Sequence, residues 1–158
     1  MTGGPVVIFI LPIVIVILDQ ISKFAAIKYL KNQKPYIIID NFFQLHYVEN
    51  RGAAFGILQH RRTFFIIITL VIIIFLTFYL IKYYHHLSKL SKIAFGMLIG
   101  GAAGNLIDRI RFGYVVDFIS FKLINRYDFP VFNIADICIV ISTILIVFMV
   151  LFDEFEIR

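Results

Sequence analysis

The chain predicts an all-α membrane bundle of four transmembrane helices, carrying a small β-hairpin or sheet at the membrane interface. Composition and segmentation are the grounds. The 158 residues are 61% hydrophobic with a mean hydropathy of +0.93, so the length of one domain is paired with the apolarity of a membrane protein. The apolar residues gather into four runs: Pro5–Leu18, extendable through Leu30; Thr63–Ile81; Ile93–Ile110; and Ile134–Phe152. Each approaches the ~20 residues a helix needs to cross a hydrocarbon core. We therefore read residues 1–158 as one integral membrane domain, with helices near 5–30, 63–81, 93–110 and 134–152.

The first run is expected to stay as a helix rather than be removed as a leader. It lacks a basic start, and Asp19-Gln20-Ile21-Ser22-Lys23 stands where small residues would mark a cleavage site. The connection after it is β-prone: Tyr36–Ile39 and Phe42–Val48 flank Asp40-Asn41, a tight-turn pair. Phe43, Leu45 and Tyr47 alternate with Gln44 and His46, which gives one apolar face suited to the membrane surface. Asn50-Arg51-Gly52-Ala53-Ala54-Phe55-Gly56 follows, its glycines permitting close backbone approach. In the third run Gly96, Gly100 and Gly104 recur every four residues, a small-residue stripe for a packed neighbour. Asn105 and Asp108 lie three apart beyond it and share a face. Phe118–Phe121 and Phe129–Phe132 are candidates for further short strands.

Asp117 and Asp136, nineteen positions apart, return to one predicted membrane edge. A carboxylate near hydrocarbon costs roughly 2.5–3.5 kcal/mol even on the lenient insertion scale, so shared proton chemistry is the leading explanation for two. Singly, each acid has a plainer reading. Asn133 and Asp136 read equally as an N-cap with its N3 partner, and Asp117 as an ordinary loop carboxylate. Asp19 and Lys23 read as an i,i+4 ion pair whose lysine snorkels to the interface. Asp108-Arg109 reads as a structural ion pair.

Other chemistries lack their residues. His46, His60, His85 and His86 form no H-E-x-x-H, and there is no G-x-S-x-G elbow or Gly-rich phosphate loop. Cys138, alone in the fourth run, has no disulfide partner in the chain and reads as a small buried apolar residue. The basic residues are scattered among apolar segments, so no nucleic-acid partner is expected.

Taken together and in order, Asp19-Gln20-Ile21-Ser22-Lys23, Asn50-Arg51-Gly52-Ala53-Ala54-Phe55, Gly104-Asn105-Leu106-Ile107-Asp108-Arg109, Val116-Asp117-Phe118 and Phe132-Asn133-Ile134-Ala135-Asp136 closely resemble the bacterial lipoprotein signal peptidases, the type II signal peptidases. The resemblance covers essentially the whole chain. It implies an aspartyl endopeptidase of the bacterial plasma membrane that cuts diacylglyceryl-modified prolipoproteins before the lipidated cysteine. Asp117 and Asp136 then match the catalytic pair, while Asp19, Lys23, Asn50, Gly52, Asn105, Asp108, Arg109, Asn133 and Ala135 match positions that bind substrate or support the site. Neither a metal nor an organic cofactor is expected. The expected partners are the prolipoprotein and membrane lipid, with the enzyme a monomer.

Orientation divides the two arguments. Seven Lys or Arg lie between Asp19 and Arg62, four between Arg109 and Asn133, and three (Lys82, Lys89, Lys92) in the middle loop. Counting would put the two long connections inside the cell. The resemblance implies that they face outward, and we follow it, because several of those basic residues belong to the motifs or flank them.

A small proton-coupled transporter and a noncatalytic membrane scaffold are the rival readings. Transport calls for polar residues spaced along several helices. After its first position the second run holds only Thr69 and Thr77 as non-aromatic polar residues, and beyond Asp136 the fourth holds only Ser142 and Thr143.

Overall fold

The computed structural model describes residues 6–52, 61–123, 127–152 and 154. The Ala53-Ala54-Phe55-Gly56 part of one motif and the start of the first run at Pro5 lie outside them. Among the described residues four helices are long and apolar enough to cross a membrane. They are α1 (Val6–Leu30), α2 (Arg62–Lys82), α3 (Lys89–Arg111) and α4 (Ile134–Leu151). Between them run β1 (Tyr36–Ile39), β2 (Phe43–Asn50), β3 (Val115–Leu123) and the two-residue β4 (Tyr127–Asp128).

α3 is central, packing against each of the other three helices. It starts at Lys89, four residues before the apolar run, because Ser88 caps it: the Ser88 hydroxyl oxygen accepts from the Ser91 N–H at 3.1 Å. Its glycines set how closely its neighbours approach. A Cβ on Gly100 would stand 3.0 Å from Pro12 Cα and Ile15 Cβ of α1. A Cβ on Gly104 would meet the Asp19 carboxylate at 2.5 Å, and one on Gly101 would meet the Ala135 carbonyl of α4 at 2.6 Å. Gly100 and Gly104 of the stripe read from spacing thus pack α1, a Cβ on Gly104 also standing 3.4 Å from Ala135 Cβ of α4, while Gly101, off that spacing, admits the α4 backbone.

α3 ends at Phe112 and Gly113. The Gly113 N–H donates to the Arg109 carbonyl at 3.2 Å with φ +83°, a left-handed geometry that suits glycine. This turn sends the chain directly into β3. The strands pair in the order β1-β2-β3-β4, all antiparallel. The hairpin turn falls at Asp40-Asn41-Phe42, with Asn41 at φ +57°. Phe129–Phe132 does not form the expected strand. Phe132 forms an isolated bridge, exchanging backbone hydrogen bonds with Ile119 at 2.8 and 3.0 Å; the Phe129 N–H donates to the Phe121 carbonyl at 3.0 Å, and Pro130 supplies no N–H to extend the ladder. That single bridge matters, because it lays the residue before Asn133 and α4 beside β3.

Candidate active site

The site forms where β2, β3 and the first turn of α4 meet the end of α3. Antiparallel register puts Asn50 opposite Val115 and Val48 opposite Asp117 on neighbouring strands. The Asn50 side chain reaches Asp117, donating Nδ2–H to Oδ2 at 3.0 Å. The Ile119–Phe132 bridge delivers Asn133 from the other side, and its Nδ2 donates to Asp117 Oδ1 at 2.6 Å. Asp117 is 1% exposed.

Asn133 also begins α4. Its Oδ1 accepts from the Asp136 N–H at 2.9 Å, and its own N–H donates to Asp136 Oδ2 at 3.2 Å, which together make a capping box. The capping reading of this pair is therefore correct as geometry, and it coexists with a second feature: one residue, Asn133, binds both carboxylates. Asp136 Oδ1 accepts from Asn105 Nδ2 of α3 at 2.7 Å. Asp117 and Asp136 thereby receive two donors each.

Burial, first, and the neighbouring Asp136 charge, second, push the Asp117 carboxyl up to about 7, against the hydrogen bonds from Asn50 and Asn133 and the Lys23 charge. A group whose protonation changes near neutrality, next to a second carboxylate, suits the transfer of a proton to or from a bound molecule.

Behind the pair lies a buried charge cluster. Lys23 is 2% exposed and its ammonium contacts Asp19 Oδ2 at 2.9 Å, Asp108 Oδ2 at 3.0 Å and Asn105 Oδ1 at 2.9 Å. The expectation that Lys23 snorkels is overturned: two carboxylates and an amide oxygen inside the bundle take all three of its protons. The expected Asp108–Arg109 ion pair is replaced too. Neighbours on a helix point about 100° apart, so Asp108 turns inward to Lys23 and Arg109 turns elsewhere. Arg109 donates to the Gly52 carbonyl at 3.3 Å, and its guanidinium lies 4.9 Å over the Phe65 ring, where its charge is felt by Asp136 and Asp117.

The cluster is satisfied on every side. Asp19 Oδ1 accepts the Ala135 N–H at 3.0 Å, using one of the orphan donors at the start of α4. Asp108 Oδ2 accepts the Val116 N–H at 3.0 Å, and Gln20 Nε2 donates to both Asp19 and Asp108. Removing one member of such a buried ion group costs about 3–5 kcal/mol, so the cluster holds α1, α3, β3 and α4 in one arrangement. Gly52 contributes its N–H to Asn50 Oδ1 at 3.1 Å.

All eleven candidate site residues named from sequence thus lie at this one locus. Two that the sequence reading missed also act here. Gln20 follows Asp19 and has no separate pattern of its own. Arg62 donates to the Arg109 and Ile110 carbonyls at 2.9 and 2.7 Å, satisfying the last turn of α3. A basic residue shortly before an apolar run is the only signal it offered.

Fold and geometry define a helical membrane protein whose polar residues converge on two adjacent carboxylates at one end of the bundle. A family model described as signal peptidase (SPase) II matches residues 11–152. A lipoprotein signal peptidase of Clostridium tetani is 45% identical over 148 residues, which is 90% of this chain and 92% of that protein. One of Caldanaerobacter subterraneus subsp. tengcongensis is 47% identical over 139 residues, covering 87% and 91%. A bacterial membrane enzyme solved by the in meso method superposes with a TM-score of 0.82 at 37% identity, covering 98% of this chain and 96% of the other. The chain belongs to the signal peptidase II family and is a multi-pass bacterial membrane protease, so the transporter and scaffold readings are set aside.

Proposed function

We propose that this protein is an aspartyl endopeptidase that removes signal peptides from diacylglyceryl-modified prolipoproteins, cutting before the lipidated cysteine. The observation that carries the reading is the pair Asp117 and Asp136, both bound by Asn133 at one end of an apolar bundle. The family and the names of its relatives support the substrate class.

Two adjacent carboxylates in a poorly hydrated site hold one proton between them, and the pair titrates as a unit. The ionised member takes a proton from water as the water oxygen adds to the scissile carbonyl carbon. The protonated member gives its proton to the carbonyl oxygen. As the tetrahedral intermediate collapses, the C–N bond breaks and the proton taken from water passes to the cysteine nitrogen. The carbonyl oxygen returns its proton, so one proton again remains on the pair. Asn50, Asn105 and Asn133 hold the carboxylates, Arg109 and Gly52 flank the substrate backbone, and Asp19, Lys23, Asp108 and Ala135 support them from below. The sheet cradles the peptide, the bundle face keeps the acyl chains in the membrane, and the site faces outward. The enzyme acts as a monomer and without a cofactor.

Lipid already solvates acyl chains, so the diacylglyceryl group contributes by anchoring and orienting the scissile bond. The test is incubation of purified protein with lipidated and unlipidated precursors of one sequence, in one detergent, with product masses determined. We expect a product starting at the lipidated cysteine, and kcat/KM lower by at least about 10²-fold without the lipid. Equal processing of both precursors would make a general intramembrane aspartyl protease the better description.

A further inference from the structure

Among the described residues three side-chain amides touch the two aspartates, and an amide can turn either its oxygen or its nitrogen toward a partner. At two of the three a backbone N–H settles the choice. The Gly52 N–H takes Asn50 Oδ1, which leaves Asn50 Nδ2 for Asp117. The Asp136 N–H takes Asn133 Oδ1, which leaves Asn133 Nδ2 for Asp117. Among the described residues no backbone N–H donates to the Asn105 side-chain oxygen. What faces Asn105 Oδ1 is the ammonium of Lys23 at 2.9 Å and, more weakly, Asn133 Nδ2 at 3.2 Å.

An ammonium has three donors and no acceptor, so it tolerates only the oxygen of Asn105. With that oxygen inward, Asn105 Nδ2 must point outward, to Asp136 Oδ1 at 2.7 Å. Lys23 cannot turn away, because Asp19 and Asp108 take its other two protons and the residue is buried.

We propose that Lys23 is a positioning residue for the reaction: by fixing the amide of Asn105 it guarantees Asp136 a hydrogen-bond donor and keeps a fixed positive charge behind both aspartates. This deepens the role of the aspartate pair and rests on the reading given above. The charged groups around the pair are Lys23 and Asp19 from α1, Asp108 and Arg109 from α3, and the two aspartates themselves from β3 and α4. Lys23 reaches Asp136 through one side-chain amide, that of Asn105, whereas Arg109 reaches Asp117 only through the Gly52 backbone and then Asn50.

The experiment compares Lys23→Gln, Lys23→Arg and Asn105→Asp with wild type on the lipidated precursor. Folding is monitored by thermal unfolding in detergent, and kcat and KM are followed across pH. Glutamine can present its own oxygen to Asn105, so the lock is lost. We expect kcat per folded molecule to fall about 10²-fold with KM nearly unchanged, and the acid limb of the kcat profile to move to higher pH. Arginine is also donor-only and should restore much of the kcat and the original limb. Asn105→Asp keeps an oxygen for Lys23 but has no N–H for Asp136, so it should lose kcat similarly while remaining folded.

Lys23→Gln that merely unfolds at lower temperature, with kcat and pH profile per folded molecule unchanged, would overturn the proposal. Wild-type kcat for Asn105→Asp would overturn it even where Lys23→Gln does not fold, since the donor to Asp136 would then be dispensable. These outcomes differ from failure of the aspartate pair itself, which is read from turnover by Asp117→Asn or Asp136→Asn.

Discussion

α2 and α3 have nearly equal lengths, 21 and 23 residues, and pack side by side, yet they are built on opposite plans. The most apolar 18-residue stretch of α2 has a mean hydropathy of 3.1 and is only 6% buried; for α3 the values are 1.4 and 56%. Leu80 is the buried residue of α2, whereas α3 buries Gly100, Gly101, Gly104, Asn105 and Asp108 among others. Lipid is as apolar as leucine, so greasiness cannot draw helices together inside a bilayer. Small residues and hydrogen-bonded polar groups do so instead. The least hydrophobic span is therefore the one surrounded by protein, and it carries the residues that hold the site.

The contrast can be attacked directly. The largest effect is expected at the two carboxylates gathered beside the end of α3. Asp117→Asn or Asp136→Asn should each lower turnover by about 10²–10⁴-fold or more, with the protein still folded and inserted. In Asp117→Asn the new amide nitrogen would face a donor from Asn50 or Asn133, so a small change in unfolding temperature is expected alongside. Substantial turnover by either purified variant would remove that residue from the mechanism.

Next come the glycines. Gly101→Leu and Gly104→Leu place a side chain against the Ala135 carbonyl and the Asp19 carboxylate. Overpacking of this kind costs about 1–3 kcal/mol or more, and here it also displaces Asn105 and Asp108. Both activity and thermal stability in detergent should fall. Leu variants that keep both would mean that α3 does not pack as described.

The smallest effects belong to the lipid-facing positions. Ile74→Ala on α2, where Ile74 is 66% exposed, should change stability by no more than about 0.5 kcal/mol and leave kcat unchanged. At Cys138 on α4, expected from sequence to be buried and in fact half-buried, Cys138→Ala should cost at most about 1 kcal/mol, and thiol blockers should spare activity. A large loss from Ile74→Ala would show that α2 has a protein partner on that face.

The same contrast explains what the sequence made legible. Hydropathy finds all four helices, because each must present an apolar surface to lipid. It misplaces the start of α3, since capping by Ser88 extends the helix through Lys89–Lys92, beyond the apolar run. Aromatic alternation finds the hairpin, but Phe129–Phe132 reads as a strand only until the missing donor at Pro130 is weighed. The site residues are legible as ordered motifs, whereas their partners are not. Lys23 reads as a snorkelling lysine because nothing local reveals Asp108, which is far away in the chain but 3.0 Å away in space. Gly101, which approaches the α4 backbone most closely, hides beside the four-residue stripe. Arg62 gains meaning only once the end of α3 lies beside it.

The central claim is that Asp117 and Asp136 hold one proton between them, and the direct measurement is a titration of carboxyl protonation by difference infrared spectroscopy, wild type against Asp117→Asn. The Asp117 carboxyl is pushed up to about 7, so it is protonated below that pH and ionised above it. An unfolded aspartate ionises near 3.9, so between about pH 4 and 7 only the folded state binds this proton, and stability should fall as pH rises through that window. We predict a carboxyl band that disappears with a midpoint near neutrality in the wild type and is absent from Asp117→Asn. A wild-type protein whose carboxyl bands are all gone by about pH 5 would contradict a shared proton at the working site.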